Sequence, residues 1–510
     1  MLLLNKLNLG RFFVLFLCTG ILIPGVHSQD TEDEQVFELS PFEVSEDSEI
    51  GYMATETLSG SRMRTSLADV AASIDVLTKE FLDDVGAVNM YDALDYVGNV
   101  STTNVNGGYG ENENNVWFST PYQARGFTTS AVGADFFSTG RSPTDFFSKG
   151  SFTVARGPNA ILFGIGAPGG IVNTTRKRPQ FGKDEVELQL RVDNYDSLRY
   201  TIDVKKELID DKLAIRAAVL YEDRNEFLDP AGYKRQAVYG AVTYKPFEKT
   251  TITLTGESGD EFRTFRYSLV NYDTITPWIN AGKPSYDGNG LVDNTTGSGL
   301  ERMGRKALMI SGQPDIPIMN WQNMGETERI EIPGHIDQNR IRATSYTSDT
   351  AIWDINGLQL QGKSRQREMD WRDITLFVTQ EVFIPELQLE LAYNSHRNEY
   401  LLANTFGHFN LRMDVNEVLP NGETNPNFGV PYLESDRNQV ITEKQGLDTA
   451  RATLSYQLDL NDIEIFGMGL GRYNFMGMVE DFRQTSDFAG FTRAFIENIP
   501  GFPAAGNWTN

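Results

Sequence analysis

The sequence predicts a mainly β protein, in which a small α/β unit is followed by the antiparallel, membrane-spanning strands of a β-barrel. Three observations lead to this fold class. Residues 185–193 alternate between apolar and polar side chains without a break, as strands do when one face meets lipid and the other a polar lumen. Segments of this kind are joined by short connections on one side and long ones on the other. A glycine-rich stretch at residues 152–179 separates them from a more compact N-terminal unit.

The N-terminus has the three parts of an export signal. Lys6 and Arg11 supply positive charge, residues 12–23 are apolar, and Val26-His27-Ser28 is a small-residue cleavage pattern. We expect residues 1–28 to be a signal peptide that is cleaved after Ser28. The only cysteine, Cys18, lies in this segment, so the mature chain is expected to form no disulfide and to have no cysteine nucleophile.

Residues 29–54 are polar and acidic, which predicts a flexible segment. One apolar island interrupts it between residues 36 and 44. An extended island in a flexible tail can add a strand to the sheet edge of another protein, and the alternatives are a simple leading strand of this chain or a tail without a role. The residues expected to make such a contact are Val36, Phe37, Leu39, Ser40, Pro41, Phe42 and Val44.

The compact unit, residues 55–180, is expected to contain strands and two short helices. Residues 72–77 alternate as a strand, and Thr78 is placed to cap a helix over residues 79–85 that Gly86 can end. A second helix is predicted over residues 89–97, with its apolar side chains on one face. Residues 131–150 contain two Asp-Phe-Phe units, at residues 135–137 and 145–147. Their rings are expected to pack in the core of the unit and not against a ligand.

The glycine-rich stretch is predicted to form a strand, a bend and a second strand. The bend carries Gly164, Gly166, Gly169 and Gly170, which adopt positive φ without strain. The spacing of the first three also satisfies the dinucleotide-binding pattern G-x-G-x-x-G, but that pattern needs a helix after the last glycine. Ile-Val-Asn-Thr-Thr follows instead, and this favours a strand. A purely structural hairpin is the remaining alternative.

The second part of the chain, residues 181–510, is expected to supply nine strands. A soluble sandwich could show similar alternation. The predicted strands are residues 185–193, 198–206, 212–222, 236–245, 250–259, 372–380, 386–395, 447–458 and 470–480.

The connections between these strands favour a membrane barrel. Four short turns, at residues 207–211, 246–249, 382–385 and 461–462, fall on one side, and the connections at 223–235, 261–371 and 396–446 fall on the other. Short periplasmic turns and long external loops are typical of membrane barrels. A plugged transporter barrel has about 22 strands, so we expect nine strands to be the N-terminal part of an incomplete barrel.

Two motifs carry a resemblance to a known family. The first comprises Arg156-Gly157-Pro158, Ala167-Pro168-Gly169-Gly170-Ile171-Val172-Asn173 and Lys177-Arg178-Pro179; the second is Arg125-Gly126-Phe127, preceded by Ala124. The first closely resembles the end of the plug domain of TonB-dependent outer-membrane receptors. The second is similar to another plug signature, although that family usually has a β-branched residue in place of Ala124. The resemblance implies structural or gating roles for Arg125, Gly126, Phe127, Arg156, Gly157, Pro158, Gly164, Gly169 and Gly170.

The resemblance also implies a function and partners. It implies a receptor in the outer membrane that takes up a siderophore, cobalamin or glycan, with periplasmic TonB bound at residues 36–44. Outer-membrane lipid, a small-molecule or oligosaccharide ligand and a surface lipoprotein are the further implied partners. Substrate contacts are expected within residues 101–117 and in the loops at 261–371 and 396–446. Two alternatives remain open: a surface or secreted binding protein without transport, and a receptor fragment without activity.

Other functions find little support in the sequence. The net charge of −25 argues against nucleic acid as a partner, because phosphates attract basic patches. His335, His396 and His408 lack the spacing of a metal site. Neither a G-x-S-x-G elbow nor a phosphate-binding loop occurs. Two carboxylates could in principle serve a glycosidase, but nothing selects a pair among 70 acidic residues. We therefore expect no enzymatic activity, cofactor or metal site.

Overall fold

The structure is a computed structural model of the chain. The described residues all belong to one compact unit, residues 40–510. They are residues 41–42, 51–59, 62–70, 72–102, 122–129, 132–157, 169–265, 272–273, 285–286, 291–292, 362–404, 409–413, 424, 426, 428–435, 439–460, 463–465, 468–469 and 471–492.

The N-terminal part of this unit, here called the plug, contains ten short strands and two helices within its described residues. The strands are β1 (Glu56–Thr57), β2 (Thr65–Ser66), β3 (Ser73–Leu77), β4 (Val100–Ser101), β5 (Tyr122–Ala124), β6 (Phe127–Thr129), β7 (Val132–Ala134), β8 (Phe137–Ser138), β9 (Lys149–Arg156) and β10 (Gly170–Arg176). The helices are α1 (Lys79–Asp84) and α2 (Met90–Leu94), and 3-10 turns cover Leu67–Asp69 and Phe146–Ser148.

The remaining strands form a large antiparallel sheet, here called the wall, and small sheets in its connections. The wall strands are β11 (Glu185–Val192), β12 (Leu198–Ile209), β13 (Leu213–Asn225), β14 (Gly232–Phe247), β15 (Thr250–Thr264), β19 (Arg365–Glu381), β20 (Leu387–Asn404), β23 (Gln439–Asp459) and β26 (Arg472–Thr492). The others are β16 (Tyr272–Asp273), β17 (Ser285–Tyr286), β18 (Leu291–Val292), β21 (Phe409–Met413), β22 (Pro431–Ser435), β24 (Glu464–Ile465) and β25 (Met468–Gly469).

The plug is a sheet with the order β3-β9-β10-β7-β8, covered by the two helices. The Thr78 side chain accepts a hydrogen bond from the Phe81 N–H at 3.2 Å, so α1 begins where the sequence predicts. Asn89 caps α2 by accepting from the N–H groups of Tyr91 and Asp92. The second helix is shorter than predicted, because after Leu94 the backbone continues in i to i−3 turns.

Gly170 closes the bend between β9 and β10. Its φ is +132°, and a Cβ atom placed there would lie 2.3 Å from the Ala155 carbonyl oxygen. No side chain fits at that distance, which explains why this position is glycine. The rest of the predicted bend, including Pro158 and Gly164, lies outside the described residues.

The wall confirms the predicted fold class and all nine predicted strands. Consecutive wall strands pair in an antiparallel ladder from β11 to β26. Most strands are longer than predicted and extend into the stretches assigned to long connections, so that residues 261–264, 365–371, 396–404 and 439–446 are strand. In these outward parts both faces carry many polar side chains, which weakens the apolar alternation that the prediction depended on.

The two faces of the wall differ in exposure. From β12 to β23 the inner face, which meets the plug, is largely buried and mixes small, aromatic and charged side chains. Apolar side chains are exposed on the outer face, among them Val186, Leu188, Leu190, Ile202, Val238, Val242, Leu254, Ile374, Leu376, Leu391 and Leu454. An apolar outer band around a polar interior is the pattern of a membrane barrel. Separately, no helix among the described residues is long and apolar enough to cross a membrane.

We predict that Gly170→Ala destabilises the plug by about 1–3 kcal/mol, because the new Cβ meets backbone at a positive φ. The measurement is the free energy of opening of β9 and β10, from native-state hydrogen exchange. Gly240→Ala is the matched control, since a Cβ at Gly240 meets nothing within 4 Å. If the two substitutions have equal effects, this account of the bend is wrong.

Candidate functional site: contacts between the plug and the wall

The second Asp-Phe-Phe unit attaches the plug to the wall through Asp145. Arg199 donates to both carboxylate oxygens of Asp145, at 2.8 and 2.9 Å, and Arg235 donates to one of them at 2.9 Å. Asp145 also accepts from the Phe147 N–H at 2.9 Å, which holds the 3-10 turn. All of these groups are buried, so each charge is satisfied by its partners and not by water.

The protonation of Asp145 follows from this environment. Burial by itself would raise the pKa of the carboxyl group, but Arg199 and Arg235 outweigh burial and hold the pKa below its usual value. Asp145 therefore stays ionised over the range of pH in which the protein would function. Arg235 continues the network by donating to Glu261 at 2.6 and 3.0 Å.

Phe147 adds an apolar contact beside these charges. Its ring is buried in a cluster of inner-wall residues that includes Ala218, Tyr239 and Trp371. Phe146 faces back into the plug, with its ring centroid 5.5 Å from that of Phe152. The expectation that these aromatics pack in a core holds, but the core is shared between plug and wall.

The first Asp-Phe-Phe unit is attached to the wall in a similar way, through Arg176. Arg176 donates to Asp135 in the plug at 2.9 Å and to Asp373 in the wall at 2.8 and 3.0 Å. Burial would lower the pKa of Arg176, but Asp373 and Asp135 together raise it. Phe137 lies against Phe377 of the wall, with ring centroids 6.1 Å apart. Both Asp-Phe-Phe units thus combine a buried carboxylate with a phenyl ring on the wall.

The turn that carries Asp135 is strained. Asp135 and Phe136 have φ values of +50° and +60°, between the paired strands β7 and β8. Two-residue hairpin turns of this kind favour Asn-Gly, and other residues cost free energy there. The Phe136 N–H donates to the Asn173 side chain at 2.8 Å, and the Asp135 N–H donates to the Thr174 carbonyl at 2.8 Å. These bonds hold the turn against β10, next to the wall.

The loop between the two Asp-Phe-Phe units makes a further contact with the wall. Ser142 Oγ lies 3.0 Å from His396 Nε2, and His396 Nδ1 lies 3.1 Å from Asp373 Oδ2. This order of groups resembles the serine, histidine and aspartate of acyl transfer. However, Asp373 is already paired with Arg176, and all three groups are buried, so the arrangement holds the loop in place. Arg141 beside it pairs with Glu443 at 2.7 Å.

Two lysines complete the contacts described here. Lys149 donates to Glu257 at 2.7 Å, and Lys177 donates to Asp203 at 3.0 Å. Asp203 is held in turn by Arg216 of the wall, at 2.8 Å. Among the described residues, the plug therefore contributes both carboxylates and cations to the interface. This distribution of both signs of charge fixes the orientation of the plug, because a rotated plug would bring like charges together.

The predicted motif residues meet within the plug. Arg156 pairs with Asp75 at 2.7 Å and donates to the Gly98 carbonyl. Gly169 lies against the Arg125-Gly126-Phe127 turn, where a Cβ would be 2.8 Å from the Ala124 carbonyl oxygen. Arg125 and Phe127 are exposed, and Arg125 has a φ of +53°. Their structural or gating roles stay predictions.

The N-terminal stretch is described only at its end. Phe42 is 6% exposed, and the Pro41 carbonyl accepts a hydrogen bond from the Arg64 N–H at 2.6 Å. This end of the stretch therefore contacts the plug, whereas the sequence predicts a flexible tail. Outside the described residues lie Val36, Phe37, Leu39, Ser40 and Val44, together with the signal segment.

Most of the predicted substrate region also lies outside the described residues, including 103–121, 293–361 and 414–423. His335 and His408 lie there as well. Within the part of the chain that is described, histidine, cysteine and acidic side chains form no group of three that could hold a metal ion. His396 is one of the contacts between plug and wall, through Ser142 and Asp373.

Sequence reasoning missed Asp135, Asp145 and their wall partners. Arg199 is 54 residues from Asp145, and Asp373 is 197 residues from Arg176, so neither pair has a local signal. The one available signal was the repeated Asp-Phe-Phe unit. An acidic residue before two large apolar ones is unusual in a buried segment unless the charge has a partner.

Comparisons with known proteins agree with this architecture. A family model for the TonB-dependent receptor plug domain matches residues 66–171. The chain is 25% identical over 419 residues to the metal-pseudopaline receptor of Pseudomonas aeruginosa PAO1, covering 78% of this chain and 53% of that receptor. It is 27% identical over 220 residues to the ferrioxamine receptor of Yersinia enterocolitica, covering 40% and 29%. The chain thus spans about half the length, or less, of these curated relatives.

Solved structures show the same fold. The ferric preacinetobactin receptor of Acinetobacter baumannii superimposes with a TM-score of 0.55 at 12% identity, over 89% of this chain and 52% of that one. The ferripyoverdine receptor of Pseudomonas aeruginosa gives a TM-score of 0.54 at 15% identity, over 90% and 48%.

We predict that Asp145→Asn destabilises the attachment of the plug by about 3–5 kcal/mol, because Arg199 and Arg235 would each lose a buried carboxylate of the plug and keep Glu222 and Glu261 of the wall as partners. Hydrogen exchange of the 146–148 turn and of β9 measures the loss. Asp223→Asn is the control, since Asp223 pairs with the exposed Lys234 and exposed pairs contribute at most about 1 kcal/mol. Equal protection in both variants would contradict the buried attachment.

The lowered pKa of Asp145 predicts a direction for acid sensitivity. The stability that the Asp145 carboxylate contributes to the folded plug is fully present above pH 3.9, about the ordinary pKa of aspartate. It is lost as the pH falls through the lower pKa of Asp145 in the folded state. Cleavage of the plug by an acid-active protease should therefore increase as the pH falls below about 3.9. In the Asp145→Asn variant, cleavage of the plug should not increase over this range of pH. If the increase persists unchanged, another group is responsible for it.

Proposed function

We propose that this chain, which belongs to the TonB-dependent outer-membrane receptors, acts in the energy-coupled uptake of a metal chelate. One observation carries the proposal: the plug is attached to the inner face of the wall by buried ion pairs. This family consists of transporters and is not an enzyme class. The proposed location is the outer membrane, reached through the export signal at residues 1–28.

The buried attachment explains why uptake would need energy. The plug contacts strands from β12 to β23 through charged groups that are shielded from water. Opening a passage beside it means separating buried charges, and each pair that is broken costs several kcal/mol. We infer that this work is done from the periplasm, by TonB pairing with residues 36–44 and pulling on the plug.

The names of the relatives support the substrate class. Metal-pseudopaline, ferrioxamine and ferripyoverdine are metal complexes of small organic chelators, and they appear in the names of proteins that resemble this chain. Cobalamin and glycans, which the sequence left open, find no counterpart in these names. A metal chelate is therefore the favoured ligand, bound by the external loops.

Leu39→Pro is predicted to abolish uptake while leaving ligand binding intact, because proline removes a backbone donor from the strand that would pair with TonB. Cells starved of iron and expressing the protein are given an iron-55 chelate, and surface-bound and accumulated label are measured separately. Glu34→Pro, just before the stretch, is the matched control and should accumulate label normally.

Three outcomes would contradict the proposal. If Leu39→Pro accumulates as much label as the control, coupling does not involve this stretch. If cells bind the chelate but neither variant nor wild type accumulates it, the protein is a surface binding protein without transport. Competition by unlabelled cobalamin or by an oligosaccharide, but not by the unlabelled chelate, would overturn the substrate class.

A further inference from the structure

The seam between plug and wall is weakest where helix α1 meets strand β11, because the contacts there are polar and open to solvent. Lys79 lies 3.1 Å from Glu187, with 31% and 27% of the two side chains exposed. Gln189 donates to Asp83 at 3.2 Å. Contacts of this kind contribute little to stability, since water screens the charges and competes for their groups. Separating α1 from β11 therefore needs little free energy.

The contacts further along the wall hold the plug more strongly. The apolar cluster around Phe147 takes side chains from β13, β14, β19, β20 and β23. Arg176 pairs with Asp373 and Lys149 pairs with Glu257, with at most 9% of each side chain exposed. Breaking a buried pair is strongly destabilising, in contrast to an exposed one. A plug that is pulled should therefore part from the wall first beside α1.

Two cavities lie next to each other along this weak side. The larger, of about 430 Å³, lies toward the long connections and is lined by Asp193 and Ser197 at the β11–β12 turn and by Asp92 of α2. The smaller, of about 40 Å³, lies nearer the short turns and is lined by Glu187 and Asp203. Both have room for water. Their charged walls suit a hydrated polar solute better than the apolar cluster around Phe147 does.

Arg199 lies between the two cavities and lines both of them. It is buried, and it donates to Asp145 of the plug at 2.8 and 2.9 Å and to Glu222 of the wall at 2.9 Å. Glu222 is directly opposite Arg199 in the ladder of β12 and β13. A shift of the plug that withdraws Asp145 would therefore join the two cavities and still leave Arg199 with a carboxylate.

We propose that the passage for the ligand opens between α1 and strands β11 and β12, and that the pair of Arg199 with Asp145 closes it at rest. This inference rests on the proposed uptake and adds the route to it. The pull on the plug tilts α1 away from β11, Asp145 leaves Arg199, and the two cavities become one charged path along the wall. The plug stays attached to β19, β20 and β23 through its buried contacts, and these guide its return.

The test compares two buried threonines of the inner face during uptake. Thr201→Cys places a thiol in the smaller cavity, and Thr449→Cys on β23 is the matched control at the far side of the plug. Cells starved of iron receive a membrane-impermeant thiol reagent, with or without the iron-55 chelate used for uptake. With the chelate, labelling of Thr201→Cys should rise about tenfold, which corresponds to about 1.4 kcal/mol in the opening equilibrium. Labelling of Thr449→Cys should not change.

Three results would overturn the route. Equal labelling at both positions would mean that the plug leaves the wall on all sides. Labelling at Thr449→Cys alone, or at neither position while iron-55 accumulates, would place the passage on another side of the plug. Cells that accumulate no iron-55 would contradict the proposed uptake itself, and the route with it.

A cross-link between α1 and β11 gives an independent test. A short, reducible thiol cross-linker that joins Asp83→Cys to Gln189→Cys should stop accumulation of iron-55, and reduction of the linker should restore it. The control is Leu188→Cys with Ile202→Cys, which are opposed on the exposed outer face of β11 and β12. This control should accumulate the same amount before and after reduction. Undiminished accumulation with α1 linked to β11 would show that the passage does not open there.

Discussion

The pairing of buried arginines with carboxylates across the seam between plug and wall is the interaction on which the rest of the structure depends. Asp145 is held by Arg199 and Arg235, and Asp373 by Arg176. Each partner would be costly to bury alone, because the desolvation of an ion is offset only when its hydrogen bonds are satisfied. Plug and wall therefore need each other, and the position of one determines the position of the other.

This dependence links the fold to the proposed transport. Buried ion pairs often add little net stability, since desolvation offsets attraction, but removing one partner is strongly destabilising. An interface of this kind allows one orientation of the plug, and it is strongly destabilised when a single ion pair is broken. The strained turn at Asp135 and Phe136 lies beside the same contacts, and strain of this kind is maintained only where surrounding contacts enforce it. A passage opened by pulling on the plug would begin from these local attachments.

The sequence predicted what depends on local periodicity and failed where distant charges decide. The nine wall strands, the capped helix after Thr78 and the two strands around Gly170 follow from alternation, capping and glycine geometry, and the structure confirms them. For the outward parts of the strands the sequence predicts loops, because side chains such as Glu261 and His396 interrupt the apolar pattern. The ion pairs of Asp145 and Arg176 could not be predicted, since their partners are brought together only by the barrel geometry. The roles of the Arg125 and Arg156 motifs stay predictions.

The central claim is that the plug lies against the inner face of the wall, and cysteine cross-linking tests it most directly. The mature chain is expected to lack cysteine, so pairs can be introduced without background. A short thiol cross-linker should join Ser142→Cys to His396→Cys in the outer membrane, because these side chains lie 3.0 Å apart. It should not join Ser142→Cys to Ser395→Cys, since Ser395 contacts Asp448 on the outer face. Cross-linking at Ser395 but not at His396, or at neither, would contradict the account.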